Sequence, residues 1–258
     1  MAVLDPYVAK IDEYIEEIRK NKRHVRDFNC PSSARQLSNN LPVRVGPDAG
    51  SGIILRDDAY IELGNPEAGS CNLLIYTKNP SIFKDGRITL IGHDMQEKPG
   101  ASLPFGQVLM FGGKELGEDD QHALEQGQYI SGQVEGYMIR SSAQHIWSRV
   151  SKDAVKKGLG FETLGRILMT VLKTEVSKIQ AMEVVFITSG KEDLEKLNDI
   201  ALQVKKITKE IQKRKWRLKG VDLDCILERD CGSCSDKPLC DNIREMIALR
   251  KKQAATRV

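Results

Sequence analysis

The sequence predicts a mixed α/β fold of the α+β kind, and three observations predict it. Apolar residues recur at three- and four-residue steps near the N-terminus and again after Ser189. Between Ile53 and Gly113, short runs rich in Ile, Leu, Val and Tyr alternate with Gly, Pro, Asn and Asp. After Trp147, a continuous apolar run stands between two helical patterns. The expected architecture is a strand-rich middle region followed by a helix–strand–helix layer. An N-terminal amphipathic helix precedes it and a cysteine-rich segment follows.

The elements follow in chain order. Val3, Leu4, Tyr7, Val8, Ile11, Tyr14, Ile15 and Ile18 form one face of a helix, which the basic run Arg19 to Arg26 ends as a solvated stretch. Residues 29–52, rich in Pro, Ser, Asn and Gly, read as an irregular linker. Strands are expected at Ile53–Leu55, Tyr60–Leu63, Asn72–Tyr76, Ile88–Ile91 and Gln107–Phe111. Gly112-Gly113 reads as a turn. A helix is expected over Asp119–Ser141, although Gly127, Gly132 and Gly136 would each cost its interior roughly 0.5–1 kcal/mol. They point either to close helix packing or to a break.

Residues 164–179 read as a helix and 183–188 as a buried strand. Ser189 with Glu192 has the spacing of a capping box, and Leu194, Leu197, Ala201, Val204, Ile207 and Ile211 mark a long amphipathic helix. The expected organisation is a helix and linker over 1–45, a mixed β/α domain over 46–145, an α/β domain over 146–222, and a cysteine segment with a C-terminal helix over 223–258.

Composition excludes several classes of function. The 258 residues carry 39 Lys and Arg against 36 Asp and Glu, a net +3, too little to imply nucleic-acid binding. No run approaches ~18 apolar residues, so no membrane insertion is expected. The first twenty residues mix acids and bases with apolar residues, which is wrong for a signal peptide, and a cytoplasmic location is expected. No Ser-His-Asp pattern, P-loop or dinucleotide fingerprint is present, and His24, His93, His122 and His145 have no metal-site spacing.

Lys205 to Lys219 is strongly basic and holds Trp216. Lys213, Arg214, Trp216 and Arg217 are the candidate binding residues: a solvated helix face, or an anion site for a coenzyme-A-like nucleotide or an acidic protein partner.

The six cysteines are unevenly placed. Cys30 and Cys71 stand alone and read as small buried hydrophobes. Cys225, Cys231, Cys234 and Cys240 fall within sixteen residues, spaced C-x5-C-x2-C-x5-C. In a reducing compartment, such a cluster is metal-binding more often than disulfide-bonded. Four thiolates can hold a [4Fe–4S] cluster or a tetrahedral zinc ion. Zinc sites of four cysteines usually come as two C-x2-C knuckles. Here there is one knuckle with no His in the block, so iron–sulfur is the expected cofactor and zinc the alternative.

Three stretches give the chain a family resemblance: DGRITLIGHD at Asp85–Asp94 with SLPFG at Ser102–Gly106, IWSRVSKDAVKKGLGFETLGRIL at Ile146–Leu168, and Lys191–Gly220 running on to the C-x2-C at Cys231 and Cys234. Over roughly Val43 to Cys240, the chain resembles the acetyl-CoA synthase (acetyl-CoA decarbonylase/synthase) beta subunit family of the carbon monoxide dehydrogenase complex. In that family, thiolates hold a cubane next to a dinickel unit. The match makes Cys231 look like a cubane ligand, Cys234 like the cysteine facing the proximal nickel, and Cys240 like the next cubane ligand.

The chain also departs from the family. The family continues with a further cubane cysteine and a Cys-Gly-Cys that binds the distal nickel. This sequence has no Cys-Gly-Cys, so nickel is not expected. Ser235, Asp236 and Lys237 stand where the family has aromatic residues, and Cys225 stands where it has none. With Cys225 as the substitute ligand, all four cysteines would serve a plain [4Fe–4S] cluster.

The function expected from this resemblance is an iron–sulfur subunit of a larger anaerobic complex, in electron transfer or in one-carbon and acyl-group handling. One alternative is a genuine CO-methylating acetyl-CoA synthase with a partner-completed nickel site. The other is a non-catalytic zinc-bound scaffold. The expected partners are complex subunits, among them a corrinoid iron–sulfur protein docking near Ile146–Leu168, or a ferredoxin-like electron carrier. That stretch has a plain fold-determining reading too, with Trp147 in the core and Lys152 and Asp153 capping a turn.

Overall fold

The computed structural model describes residues 4–21, 24–30, 41–46, 49, 52–130, 133–142, 145–218, 234, 237–242 and 245–246. The chain divides into two compact units, Met1–Val204 and Lys205–Val258.

Helix α1, Asp5–Lys20, forms where the periodicity predicts it. Val8, Ile11, Tyr14, Ile15 and Ile18 are buried, Pro6 sits in the first turn where its missing N–H costs nothing, and Arg19 and Lys20 complement the dipole in the last. The basic run does not simply trail into solvent. Its end enters strand β1, Val25–Asn29, which pairs antiparallel with β4, Arg87–Ile91. VRDFN lacks a strand's usual apolar alternation because β1 is an edge strand, tied down by polar contacts. Asp27 accepts from Arg19 at 2.5 Å and from Thr89 at 2.8 Å, and Arg26 pairs with Glu97 at 2.7 Å.

Next come β2, Ala59–Leu63; β3, Ser70–Thr77; β5, Ser102–Leu103; and β6, Phe105–Gly112. Ile53–Leu55 is not a strand: Ile54 is buried, but Ile53 and Leu55 are exposed. Helix α2, Glu118–Gly127, is far shorter than the expected 119–141, and strand β7, Tyr137–Ser142, takes the second half of that range.

The glycines account for this outcome. Gly127 lies where a Cβ would come within 2.9 Å of Leu172, so it permits close packing of α2 on the helix that carries Leu172. Gly136 has φ +71° and closes a turn where a Cβ would come within 2.4 Å of Ala154 and Ser151.

Strand β8, His145–Ser151, was not expected either. Ile146, Ser148 and Val150 point inward and are fully buried, while Trp147 is only half-buried on the opposite side, so Trp147 is not a core residue. Ser151 caps α3, Lys152–Lys157, by accepting from the Ala154 N–H, in place of the turn cap expected from Lys152 and Asp153. Helix α4, Phe161–Glu175, starts and stops earlier than the expected 164–179. Strand β9, Ala181–Ile187, is fully buried, and the long helix α5 runs over Lys191–Leu218. Ser189 precedes α5, and its hydroxyl donates to the Asp193 carboxylate, one turn on.

Two mixed sheets result. The larger has the order β1-β4-β9-β6-β3, with β4–β9 and β3–β6 parallel and β1–β4 and β6–β9 antiparallel. The smaller has the order β5-β2-β8-β7. Strand β8 packs against β3 and β6, which joins the two sheets. The pairings β1–β4 and β2–β8 cross positions 45 and 145, so residues on both sides of those positions share one core. Phe105, Phe161 and Phe186, one each from β6, α4 and β9, form its aromatic centre with ring centroids 4.9–6.2 Å apart.

A surface cluster makes this unit acid-sensitive. Glu135 accepts from Lys157 at 2.7 Å and from the Arg44 backbone at 3.1 Å, and these contacts lower its pKa to about 2. The folded state therefore favours ionised Glu135. Its contribution is complete above the ordinary carboxylate pKa and is lost as pH falls toward 2. Urea midpoints measured at pH 6 and pH 3 check this. Glu135→Gln should lower the midpoint at pH 6 and leave it nearly unchanged at pH 3.

Candidate functional site

The outer side of the smaller sheet carries a polar cluster built by strand alternation. Trp147 and Arg149 project from the same side of β8, with the Arg149 guanidinium 4.8 Å from the indole centroid. Glu62 of β2 accepts from Arg149 Nε at 2.9 Å, Trp147 Nε1 at 3.1 Å and Asn65 Nδ2 at 3.1 Å. Burial acts to raise the Glu62 pKa, but the bonds from Arg149, Asn65 and Trp147 outweigh it and hold the carboxyl below the usual range. Arg149 Nη1 also donates to the Ile54 carbonyl at 3.1 Å, which anchors the loop before β2. The sequence signal for this cluster was the alternation Ile146, Ser148, Val150. It identifies a strand and puts Trp147 and Arg149 together.

A surface hollow lies at the carboxyl ends of the parallel neighbours β4 and β9, lined by His24, Gly92, His93, Ser189, Gly190, Lys191 and Glu192. The Thr188 hydroxyl donates to the His93 carbonyl at 2.7 Å and holds the two loops together. The His93 side chain is well exposed, with Nδ1 3.5 Å from Glu97, as expected of a surface residue in a turn. Among the described residues, no three of His, Cys, Asp and Glu converge as metal ligands.

Deeper in this unit, Asn72 donates to Gln128 at 2.9 Å and accepts from Gln107 at 3.3 Å, a buried amide network bridging β3, β6 and the residue after α2. The two lone cysteines are buried. Burial pushes the Cys30 thiol up and the Cys71 thiol up to about 12, so neither offers a ready thiolate.

The candidate metal segment belongs to the second unit. Cys234 and Cys240 are free and half-buried. The Cys234 carbonyl accepts from the Lys237 N–H at 3.1 Å, and Lys237 opens a helical stretch at 237–242 that carries Cys240. Lys237 pairs with Asp241 at 2.6 Å along that stretch. Cys225 and Cys231 lie outside the described residues. Lys213, Arg214, Trp216 and Arg217 all belong to α5.

The fold by itself defines a mixed α/β protein of two packed sheets. The chain belongs to the CO dehydrogenase/acetyl-CoA synthase complex beta subunit family, whose model matches residues 41–193. The beta subunit of the Methanopyrus kandleri acetyl-CoA decarbonylase/synthase complex is 31% identical over 73% of this chain and 39% of its own length. The corresponding subunit from Archaeoglobus fulgidus is 29% identical over 64% of this chain and 32% of its own. The Methanosarcina thermophila beta 1 subunit is 28% identical over 64% and 35%. The matched stretch thus spans less than two fifths of each relative. The family match covers both sheets from β2 on and ends at Asp193, before the basic stretch and the cysteine block. No described helix is long and apolar enough to cross a membrane.

Proposed function

We propose that this chain is the [4Fe–4S]-binding member of a larger cytoplasmic assembly, working in electron transfer or in one-carbon and acyl-group handling. The observation that supports it most is the C-x5-C-x2-C-x5-C block, four thiols within sixteen residues. The two described members fit a ligand role: the Cys234 carbonyl accepts from Lys237, which opens the helical stretch that carries Cys240, and both cysteines are free and half-buried. Cys225, Cys231, Cys234 and Cys240 would hold the cluster. When bound, it would supply a one-electron redox centre. Membership of the family supports the setting, since the relatives are named as subunits of a complex. The same membership favours a second reading, a CO-methylating acetyl-CoA synthase whose nickel site a partner completes.

Metal analysis and EPR of anaerobically purified protein separate these readings. About four irons per chain with a reduced-cubane signal and little nickel is the expected result. Nickel near two per chain would establish the second reading. One zinc with no visible absorption would make the chain a zinc-bound scaffold instead.

A further inference from the structure

One ion pair sits among the candidate ligands. Lys237 Nζ donates to Asp241 Oδ2 at 2.6 Å, and the two side chains are 50% and 41% exposed. Lys237 is also tied to a cysteine, since its N–H donates to the Cys234 carbonyl. Residues 237–242 are helical, so Lys237, Cys240 and Asp241 stand at i, i+3 and i+4, neighbouring positions of one face. Both charges are therefore carried on the side of the stretch that bears Cys240. The surrounding sequence is acidic. Asp224, Asp230 and Asp241 each adjoin a cysteine of the block, and Lys237 is the single cation from Cys231 to Cys240. The family resemblance does not supply this pair, because Lys237 belongs to the tripeptide that stands where the family has aromatic residues. An exposed pair of this kind adds little to stability. Beside a redox centre its charges count for more.

We propose that the Lys237–Asp241 pair sets the reduction potential of the iron–sulfur cluster. The inference deepens the proposed function and rests on it for the presence of the cluster. A cubane held by four thiolates is an anion, and reduction adds one electron to it. A nearby cation favours the reduced cluster and a nearby acid opposes it. Paired, the two charges largely cancel at the ligands, and the cubane keeps the low potential that the flanking aspartates favour. Alone, either charge acts in full. The bond from the Lys237 N–H to the Cys234 carbonyl fixes where the pair starts relative to the two cysteines.

The test is an anaerobic potentiometric titration of the full-length chain with dithionite and mediator dyes, the reduced cubane being followed by EPR. Asp241→Asn should raise the equilibrium constant for reduction about tenfold, a rise of about 59 mV for a one-electron step. Lys237→Gln should lower that constant by a similar factor. The double variant Lys237→Gln/Asp241→Asn and the conservative Lys237→Arg should both stay within about twofold of the wild type. All four variants should keep the wild-type iron content and circular dichroism, because both side chains are about half-exposed. The spread between the two single variants should narrow in about 1 M salt. Constants within about twofold of the wild type in both single variants, at full iron, would overturn the tuning pair and leave the proposed function standing. Loss of iron, or shifts of the same sign, in both single variants would overturn it as well, since a pair that only held Cys240 in place would behave in that way. A wild-type chain without iron would overturn the proposed function, and the inference with it.

Discussion

Glu183→Ala should destabilise the first unit by about 3–5 kcal/mol, read as a drop in the free energy of urea unfolding. Glu183 on β9 is almost fully buried at the centre of the larger sheet, beside Arg87 on its parallel neighbour β4. One carboxylate oxygen takes the Arg87 Nε at 2.5 Å, and the other takes the Lys84 N–H. Arg87 also reaches Asp12 of α1 at 2.8 Å, so a single guanidinium ties the helix to the sheet. The Arg87 side chain is only 11% exposed, against 43% for Asp12. Truncating Glu183 would leave a buried cation whose remaining partner is largely hydrated, together with an unsatisfied backbone N–H at Lys84. The loss reflects that stranded charge and not the net worth of the pair. The double variant Arg87→Met/Glu183→Leu should therefore recover most of the stability, and Asp12→Ala should cost about 1 kcal/mol or less. If the double variant were as unstable as Glu183→Ala, the charge argument would fail and the site would matter only for its shape.

The sequence was most legible where burial follows a single period. Helix α1, the buried strands β3, β4, β6 and β9, and the apolar face of α5 can all be read from spacing alone, because each packs one face or the whole strand into the core. Legibility failed where tertiary pairing overrides local preference. VRDFN becomes a strand only because β4 offers it an edge, and Ile53 and Leu55 look strand-like yet lie exposed beside a loop anchored by Arg149. Residues 119–141 kept a helical texture up to Gly127, after which the turn at Gly136 sends the chain into β7. The WSRVSKDA stretch carries the family resemblance, but its local signal is ambiguous. The buried Ser148 masks the inward face of β8, so Trp147 looked like a core residue when it belongs to the outward pair with Arg149.

The cysteine block is a different case. Thiol spacing suggests metal chemistry before any fold exists, whereas the Glu62 cluster appears only once β2 and β8 are paired in register.

That difference makes the ligand set the sharpest point to test. Cys225→Ala should cost the chain at least one iron, giving about three per chain with an altered EPR signal or complete loss of the cluster. The family resemblance assigns Cys231, Cys234 and Cys240 but leaves no cysteine of this sequence matched to the last cubane ligand. A cubane with three protein thiolates keeps one iron open to exchange, and such clusters readily lose that iron. Five residues separate Cys225 from Cys231, as five separate Cys234 from Cys240, so the block is symmetric about its C-x2-C. Cys30 and Cys71 cannot readily substitute, since both are buried within the first unit and Cys71 would have to give up a proton held to about pH 12. Cys71→Ala should therefore retain full iron while losing some stability from the vacated space. If Cys225→Ala kept all its iron and its EPR line shape, the fourth ligand would have to be another residue or a partner subunit. The symmetric block would then be three ligands and a bystander, and a plain four-cysteine cubane would no longer describe this chain.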